Sequence, residues 1–356
     1  MTRQDTEILR PRRSFLSTCA CGVFAARSSD ELLADRVHAA QGPTFAFRKV
    51  PGVLLARGPK GSFDATHAKY PSVLKVRTQW MMWYNGRSDN AFTGSIGLAT
   101  SSDGLKWNKV NDGKPVFAHG GPGTPDETKI DHPAVLRFDG RFHMWYTAGD
   151  AGSRYKIGYA ISEDGYRWRR QNAGRPVLGP GEKGKFDDQV VLHPAVVRDA
   201  TGVLHIWYNG VGPQRDFQVG HATSRDGINW QRQNGGDPVL TARRVSGHRE
   251  QYVYNVMVLL EDGVYRMWYS SARSFKLNGR NGWNGSAIVY AESRDGTHWK
   301  RDTVHTLVSG DEGSDDAYAC FAPYVVRRED GLWMYYSMGS RYQHYQVGFA
   351  KCPQKS

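Results

Sequence analysis

Acidic residues recur at a fixed point of a repeated pattern, and they are the side chains of this sequence that could do acid–base chemistry. Four aspartates each lie seven residues before a proline that opens a short apolar segment: Asp64, Asp126, Asp187 and Asp316. Like charges held close together raise the pKa of one carboxyl, so a crowded group of acids can supply a proton donor and an ionised base. A residue repeated in four copies is also typical of a fold element that caps a linker or pairs with a repeated arginine.

Acids that break this repetition are the stronger candidates for chemistry: Asp131, Glu250, Asp188 and Glu127. Asp131 is the only acid within two residues of such a proline, in the segment 129–133. Glu250 belongs to the one repeat that lacks both the aspartate and the proline. Asp126 and Asp187 remain further candidates among the repeated acids.

A second set of residues could bind a ligand. Each repeat carries an arginine on one loop, and these arginines could hold a carboxylate, sulfate or phosphate. Trp283 lies on the longest of these loops, where it could stack on a sugar or fill a small core of its own. The histidines could carry protons, bind an axial ion or serve as hydrogen-bonded fillers. The predicted binding residues are Tyr70, Arg87, His132, Arg154, His193, Arg215, Tyr254, Arg273, Trp283 and Asp316.

The elements that position these residues follow from an internal repeat. A Trp-Tyr pair begins at Trp83, Trp145, Trp207 and Trp268, and a degraded copy has Tyr335 in place of the tryptophan. A fixed period is a strong indication of a repeat architecture. Each Trp-Tyr segment leads to a Gly-x-Ala or Tyr-Ala segment, and in four copies a Ser-x-Asp-Gly-x-x-Trp string follows. Asp-Gly between two apolar segments predicts a hairpin.

Four strands per repeat and five repeats predict an all-β five-bladed β-propeller with four-stranded blades. The segment 45–48 has no strand before it, so we expect it to supply the outermost strand of the last blade and remove a free edge. The propeller is predicted to be one domain over 42–356. The linkers before the inner strands and the loops after the Trp-Tyr segments then share one face, which is the candidate site, whereas the Asp-Gly turns lie on the opposite face.

Composition narrows the partners. The 356 residues carry a formal net charge of +12, with the basic residues scattered. This indicates a basic surface, which could also attract an anionic glycan. No nucleic-acid-binding motif accompanies the charge, and no apolar run is long enough for a membrane helix. The four cysteines lack the spacing of a zinc site, so we expect neither structural zinc nor a disulfide framework.

Residues 1–41 are set apart as a leader. The segment 11–17 contains Arg12 and Arg13 followed by Phe15 and Leu16, which is typical of a twin-arginine export signal. This predicts export to the periplasm or the exterior. An organelle transit peptide and a disordered N-terminus remain alternatives.

The Trp-Tyr-x-Gly, Ile-Gly-x-Ala and Ser-x-Asp-Gly-x-x-Trp strings, together with the number of repeats over 45–352, resemble the five-bladed propeller glycosidases: the arabinanase, levansucrase and invertase superfamily and the related mannoside phosphorylases. The resemblance implies three carboxylates at the axis. Residue by residue it implies Asp64 as base or nucleophile, Asp131 as positioning group and Glu250 as general acid. The chain departs from the family in its first blade, where Lys69 and Tyr70 stand close to the strand start in place of the expected aspartate.

The resemblance therefore predicts a glycoside hydrolase that acts on furanosides or a polysaccharide, without a required cofactor but with a possible axial Ca²⁺ or other ion. Hydrolysis needs one protonated and one ionised carboxyl on either side of the bond. A non-catalytic glycan-binding propeller and a glycoside phosphorylase or transferase remain as alternatives. The expected partner is a carbohydrate, possibly anionic.

Overall fold

The computed structural model describes residues 43–88, 93–152, 154–245, 248–250, 252–272, 275–277, 280–282, 286–341 and 344–354. All of them fall in one compact unit, Gln41–Ser356. The predicted leader, 1–41, lies outside the described residues, so the export signal remains a prediction. No helix in the described part of the chain has the length and apolar character needed to span a bilayer.

Short β-strands make up nearly all the regular structure, and the described residues contain no α-helix. Three 3-10 turns, Asn111–Gly113, Asn172–Gly174 and Asn234–Gly236, complete it. The strands are β1 Arg48–Leu55, β2 His67–Val76, β3 Gln79–Arg87, β4 Gly94–Ser101, β5 Asn108–Lys109, β6 Lys129–Phe138, β7 Arg141–Gly149, β8 Tyr155–Ser162, β9 Arg169–Arg170, β10 Val190–Arg198, β11 Leu204–Val211, β12 Phe217–Ser224, β13 Gln231–Arg232, β14 Arg244–Val245, β15 His248–Arg249, β16 Tyr252–Glu261, β17 Val264–Ala272, β18 Phe275–Leu277, β19 Arg280–Gly282, β20 Ala287–Ser293, β21 Lys300–Arg301, β22 Leu307–Val308, β23 Ala319–Arg328, β24 Gly331–Gly339 and β25 Gln346–Pro353.

The strands form antiparallel units of four, one for each sequence repeat. The units are β2-β3-β4-β5, β6-β7-β8-β9, β10-β11-β12-β13, β16-β17-β20-β21 and β23-β24-β25-β1. One parallel bridge, between Gly94 and Lys129, joins the first two units. Strand β22 adds to β20, while β14-β15 and β18-β19 are small separate hairpins. The prediction of an all-β fold built from four-stranded repeats is confirmed.

The last unit takes its outermost strand from the beginning of the described chain. Strand β1 pairs antiparallel with β25, with Arg48 opposite Lys351. The expected pairing is therefore present, but the strand is Arg48–Leu55 rather than 45–48. Phe45 and Phe47 lie before this strand. Their rings pack on Trp268, at centroid distances of 5.6 and 6.4 Å.

The Asp-Gly strings form tight turns held by their own side chains. In the first repeat, Asp103 Oδ1 accepts hydrogen bonds from the backbone N–H groups of Leu105 and Lys106, both at 2.8 Å. Ser101 Oγ accepts one from Gly104 N at 2.9 Å. Gly104 has φ +79°, a conformation that favours glycine. This explains why serine, aspartate and glycine recur together in four repeats.

Three of the five units are attached to the next through their repeated tryptophan. The indole N–H groups of Trp83, Trp145 and Trp207 each donate to a glycine carbonyl in the following unit's Asp-Gly turn, at 2.9 Å in all three cases. In the last unit the hydroxyl of Tyr335 donates to Gly104 O of the first unit at 3.0 Å. These bonds connect the first four units in sequence order and connect the last unit to the first.

The core lies between neighbouring units. One buried cluster, for example, combines Met81 and Trp83 of the first unit with Phe142 and Met144 of the second. The first strands of the five units, β2, β6, β10, β16 and β23, are neighbours in that order, and β23 also contacts β2. They line a central cavity of about 320 Å³ whose walls are mainly valine, leucine and proline.

The link between units yields a test with a matched control. Trp145→Phe should destabilise the protein because it removes the hydrogen bond to Gly227, which contributes about 0.5–1.5 kcal/mol. Trp268→Phe removes an equally buried indole whose Nε1 has no hydrogen-bond partner among the described residues. We expect the urea midpoint to fall further for the first variant than for the second. Equal losses would show that the hydrogen bond contributes nothing beyond packing.

Candidate functional site

Each inner strand is interrupted near its start by an irregular residue. The antiparallel register shifts at this point in all five units. The residue at the shift has a left-handed backbone conformation, with φ between 48° and 56°, although none is glycine. These residues are Tyr70, His132, His193, Asn255 and Ala322. Such strained positions persist only where the surroundings enforce them, and they concentrate at functional sites.

A polar side chain of the preceding unit holds the backbone N–H of this residue in four units. His193 N donates to Thr147 Oγ1 at 2.8 Å, and Tyr70 N donates to Ser337 Oγ at 2.9 Å. The N–H groups of the fourth and fifth units are held in the same way by Asn209 and Ser270. The holding residue always follows the Trp-Tyr or Tyr-Tyr pair. That recurring polar residue is a sequence signal that the motif analysis missed.

The second unit departs from this scheme, and Asp131 is the reason. His132 N donates to the carboxylate of Asp131 itself, at 3.0 Å. Asn85, which occupies the holding position, instead donates to Ile130 O at 3.0 Å. The structure thus provides a specific local role for an acid at position 131, at the point where the sequence pattern had singled it out.

Three rings from the irregular positions meet. The ring of His132 lies 4.6 Å from that of Tyr70 and 4.7 Å from that of His193, measured between centroids. A second cavity, of about 200 Å³, lies against Tyr70 and His193. Tyr70 and His132 also line the central cavity. Tyr70 therefore lines both cavities.

The smaller cavity, which we call the aromatic cavity, is lined by residues at or next to the beginnings of strands. Lys69 and Tyr254 lie near the beginnings of the inner strands β2 and β16, and Tyr318 directly precedes β23. Phe217 begins β12, and Tyr345 directly precedes β25. A mainly aromatic lining with a few polar groups is typical of a small-molecule site. Of the predicted binding residues, this cavity brings together Tyr70, His193 and Tyr254.

Asp131 is a buried, ionised carboxylate whose charge interacts with Lys69 and His193, two residues that line the aromatic cavity. Its Oδ2 is 3.1 Å from Lys129 Nζ, and its side chain is 4% exposed. Burial alone would raise the pKa of Asp131, but the charges of Lys129 and Lys69 outweigh burial and hold that pKa well below its usual range. The carboxylate is therefore ionised near neutral pH, which suits a fixed negative charge better than a proton donor.

Lys69 stands where the family resemblance implied an aspartate. Its Nζ lies 3.3 Å from Tyr70 Oη and 4.4 Å from the centroid of the Tyr70 ring. Burial lowers the pKa of Lys69 to about 8, and the charge of Asp131 only partly offsets that effect. Burial also lowers the pKa of His132 to about 3 and that of His193 well below its usual value. These imidazoles are therefore neutral near pH 7.

The repeated acids occupy a different environment. In every unit one carboxylate accepts a hydrogen bond from the tyrosine of the Trp-Tyr or Tyr-Tyr pair and pairs with a cation on the outermost strand. The carboxylates are Asp64, Asp126, Asp187, Glu250 and Asp316, and their tyrosines are Tyr84, Tyr146, Tyr208, Tyr269 and Tyr336. Their cations are Lys109, Arg170, Arg232, Arg301 and Lys49.

This arrangement corrects the interpretation of Glu250 as an acid that breaks the repetition. Glu250 accepts from Tyr269 Oη at 3.1 Å, as Asp64 accepts from Tyr84 Oη at 3.0 Å, so it is the fourth unit's version of the same feature. Burial raises the pKa of Glu250. Neither Asp64 nor Glu250 lines the aromatic cavity. The repeated acid pairs with an outer-strand cation, not with the loop arginine that the sequence suggested.

The remaining predicted residues are dispersed. Glu127 and Asp188 each accept a backbone N–H within their own linker, from Gly123 and Gly184. Arg154 pairs with Asp150 at 2.9 Å on the surface, and Arg215 is exposed. Arg87 is half-buried, and its charge acts on Lys69. Arg273 and Trp283 lie outside the described residues.

Two residues at the irregular positions have buried side-chain polar atoms without a hydrogen-bond partner among the described residues. His132 Nδ1 has no hydrogen-bond partner among the described residues, and the same holds for both side-chain polar atoms of Asn255. No group of three or more His, Cys, Asp or Glu side chains in the described ranges could hold a metal ion. The axial ion therefore stays a prediction.

Sequence reasoning missed Lys69 and Lys129 as site residues, although both directly precede or flank an inner-strand irregularity. It also missed the outer-strand cations. In four repeats that cation lies two residues after the second tryptophan, as Lys109 does after Trp107. This spacing was a usable signal for the acid–cation pair.

Comparison with known proteins adds to this description. No family model matches the chain. It is 31% identical over 216 residues to the uncharacterized protein Rv1502 of Mycobacterium tuberculosis, an alignment that covers 57% of this chain and 67% of that protein. It is 27% identical over 137 residues to a 1,2-beta-oligomannan phosphorylase of a Thermoanaerobacter species, covering 36% of this chain and 44% of that enzyme.

Solved structures share the fold. A glycoside hydrolase superposes with a TM-score of 0.68 and 17% identity over 93% of this chain and 97% of that one. A structure from the GH130 family of mannoside phosphorylases, described as containing hydrolases that target beta-1,2 mannosidic linkages, superposes with a TM-score of 0.63 and 16% identity, covering 87% and 96% of the two chains. The resemblance to the propeller glycosidases is confirmed at the level of the fold. The chain therefore belongs to the family of Rv1502, and its fold is that of the propeller-type glycoside hydrolases.

Proposed function

We propose that the chain is a glycan-acting enzyme that cleaves glycosidic bonds, and that Asp131 is the carboxylate that acts at the bond. One observation supports the proposal: of the seven acids predicted as catalytic, Asp131 is the one whose charge interacts with Lys69 and His193, which line the aromatic cavity. The fold shared with glycoside hydrolases supports the class of reaction. The proposal includes the arrangement of the five four-stranded units as the blades of one propeller domain over 42–356, and export through the segment 11–17.

The chemistry follows from the charge of Asp131. The transition state of glycosidic cleavage carries positive charge on the sugar ring. A carboxylate that is held ionised beside the bound sugar stabilises that charge, and its orientation is fixed before the reaction begins. Asp131 is fixed by Lys129 Nζ at 3.1 Å and by His132 N at 3.0 Å.

We assign structural roles to Asp64 and Glu250 in place of the catalytic roles implied by the resemblance. Each is bound to a tyrosine hydroxyl and to a cation of its own unit, in an arrangement that all five units repeat. A single catalytic site does not need five copies of one ion pair. An ion pair that stabilises each of five similar units is expected five times.

Phosphorolysis is the second candidate. Asp131 is the carboxylate whose charge interacts with residues lining the cavity, and a phosphate nucleophile needs no second carboxylate to activate it. Lys69 and Lys129 supply positive charge nearby. The partial similarity to an oligomannan phosphorylase favours testing this reaction alongside hydrolysis. A glycan-binding protein without turnover is the remaining alternative.

The role of Asp131 is tested by Asp131→Asn, which keeps the shape and removes the charge. We expect kcat to fall by about 10²–10³-fold, the range for loss of one group that stabilises charge in the transition state, while glycan affinity changes little. The assay is sugar release from a panel of furanosides, pyranosides and polysaccharides, with and without inorganic phosphate. Glu163→Gln, which changes an exposed acid on the surface, is the control. Turnover that survives Asp131→Asn excludes the proposed role, and glycan binding without turnover in the wild type indicates the binding protein.

The structural roles are tested by Asp64→Asn and Glu250→Gln. Each change leaves a partly buried cation without its charge partner, so we expect a loss of about 1–3 kcal/mol in the free energy of unfolding. The folded fraction should retain a kcat close to that of the wild type. Denaturant unfolding and activity measured on the same samples separate the two effects. A Glu250→Gln protein of normal stability that has lost activity would return Glu250 to the catalytic group.

A further inference from the structure

We propose that the aromatic cavity binds an acidic sugar and that Lys69 holds the carboxylate of this sugar. The inference rests on the proposed function and names the substrate class of the same site. It follows from the position of a half-buried lysine that packs among aromatic rings and has no acid of its own among the described residues.

The surroundings of Lys69 are mainly aromatic. Its Nζ lies 4.4 Å from the centroid of the Tyr70 ring and 5.4 Å from that of the Tyr345 ring. The hydroxyl of Tyr70, at 3.3 Å, is its hydrogen-bond partner. Cation–ring contacts and one hydroxyl replace only part of the hydration that an ammonium group loses on burial.

Three other lysines each have a carboxylate partner. Lys129 Nζ lies 3.1 Å from Asp131, and Lys109 and Lys49 pair with Asp64 and Asp316. No carboxylate of the described residues lies within 4.0 Å of Lys69 Nζ. Asp131 is already engaged by Lys129 and by the backbone N–H of His132. Lys69 is therefore the lysine of this cavity whose charge a ligand can still neutralise.

The charge balance around the cavity favours an anion. The charges that act on Lys69 are those of Asp131, Lys129 and Arg87. With Lys69 protonated, Lys69 and Lys129 face one carboxylate, so a bound negative charge is attracted and a neutral ligand leaves the excess uncompensated. An acidic sugar provides that charge on a ring that can also contact the aromatic walls, such as Phe217 and Tyr254.

Size limits the ligand further. The cavity volume is about 200 Å³, below the roughly 300–1,000 Å³ of sites for drug-sized ligands. The cavity therefore suits one sugar unit rather than a stretch of chain. A free inorganic phosphate would present the same charge to Lys69, and the experiment below separates the two sources.

The proton on Lys69 gives the proposal a pH dependence. Because the pKa of Lys69 is lowered to about 8, Lys69 of the free protein is mostly protonated below pH 8 and mostly neutral above it. Anion binding favours the protonated form, so affinity should be constant below pH 8 and fall above it, and binding near pH 8 should take up protons. The titratable groups facing Lys69 from the surrounding elements are His67, Tyr70, Arg87, Lys129, Asp131, His193, Tyr254, Tyr318 and Tyr345.

Several of these groups do not change charge in that range. Burial raises the pKa of Tyr254, and burial also raises the pKa of Tyr70 well above its usual value, so both stay neutral. Burial lowers the pKa of His67 to about 2, so it is already neutral, as is His193. Asp131 stays ionised. A change in affinity near pH 8 therefore reports on Lys69.

The experiment is calorimetric titration of the full chain with glucuronate, galacturonate, the matching neutral sugars glucose and galactose, and inorganic phosphate. In the wild type we expect a uronate to bind at least about tenfold more tightly than its neutral counterpart, the effect of one hydrogen bond to a charged group. Lys69→Met should remove that preference, and Lys69→Arg should retain part of it. Lys106→Met, which removes an exposed lysine on an Asp-Gly turn, should leave it unchanged.

Three results overturn the proposal: equal affinity for uronates and neutral sugars in the wild type, a uronate preference that survives Lys69→Met, or binding of phosphate with no binding of either uronate. If Lys69→Met does not fold, the fall in wild-type uronate affinity above pH 8 and the Lys69→Arg protein decide instead. The first of these results, found together with Asp131-dependent turnover of a neutral glycan, overturns this inference and leaves the proposed function standing. Lys69-dependent uronate binding without turnover of any glycan does the reverse.

Discussion

The indole N–H of the repeated tryptophan is the interaction on which the rest of the structure depends. It leaves one four-stranded unit and reaches the glycine carbonyl of the next unit's turn, as Trp83 does at Gly165. The same carbonyl accepts a second indole N–H, from Trp168 in its own unit. Since a buried N–H without a partner costs free energy, the turn is fixed where the tryptophan can reach it. A Cβ on Gly165 would meet the Trp83 ring at 2.9 Å, so close approach requires glycine there.

The contacts that all five units share also determine which acids remain for chemistry. Once every unit contains the same acid bonded to the same tyrosine and to an outer cation, those five carboxylates are committed to stabilising the fold. Function then depends on positions where one unit differs from the others. The second unit differs at its inner strand, because Asp131 takes over the hydrogen bond that a polar side chain of the neighbouring unit makes elsewhere. The first unit differs beside it, through Lys69.

The sequence was sufficient to predict the all-β class, the repeated four-stranded unit and the pairing of the earliest strand with the latest. These depend on local turn chemistry and on the period, which the amino acids display directly. The sequence also predicted Asp131 as a candidate site residue, from its distance to Pro133. The role of Glu250 was misread because the fourth repeat has a shifted linker, and its equivalence to Asp64 becomes visible only through the shared tyrosine contact. The state of Lys69 depends on burial by Tyr345 and other residues distant in sequence, which a local pattern does not show.

The pairing of β1 with β25 has a consequence for how the protein is made. During synthesis β1 emerges long before its partner strand β25. Until β25 emerges, the edge of β1 has no partner strand, and such exposed edges promote aggregation. The last unit cannot assemble cotranslationally from its own repeat alone. Native pairing of β1 must wait until β25 has been synthesised, so a chain truncated before β25 should depend on chaperones rather than fold.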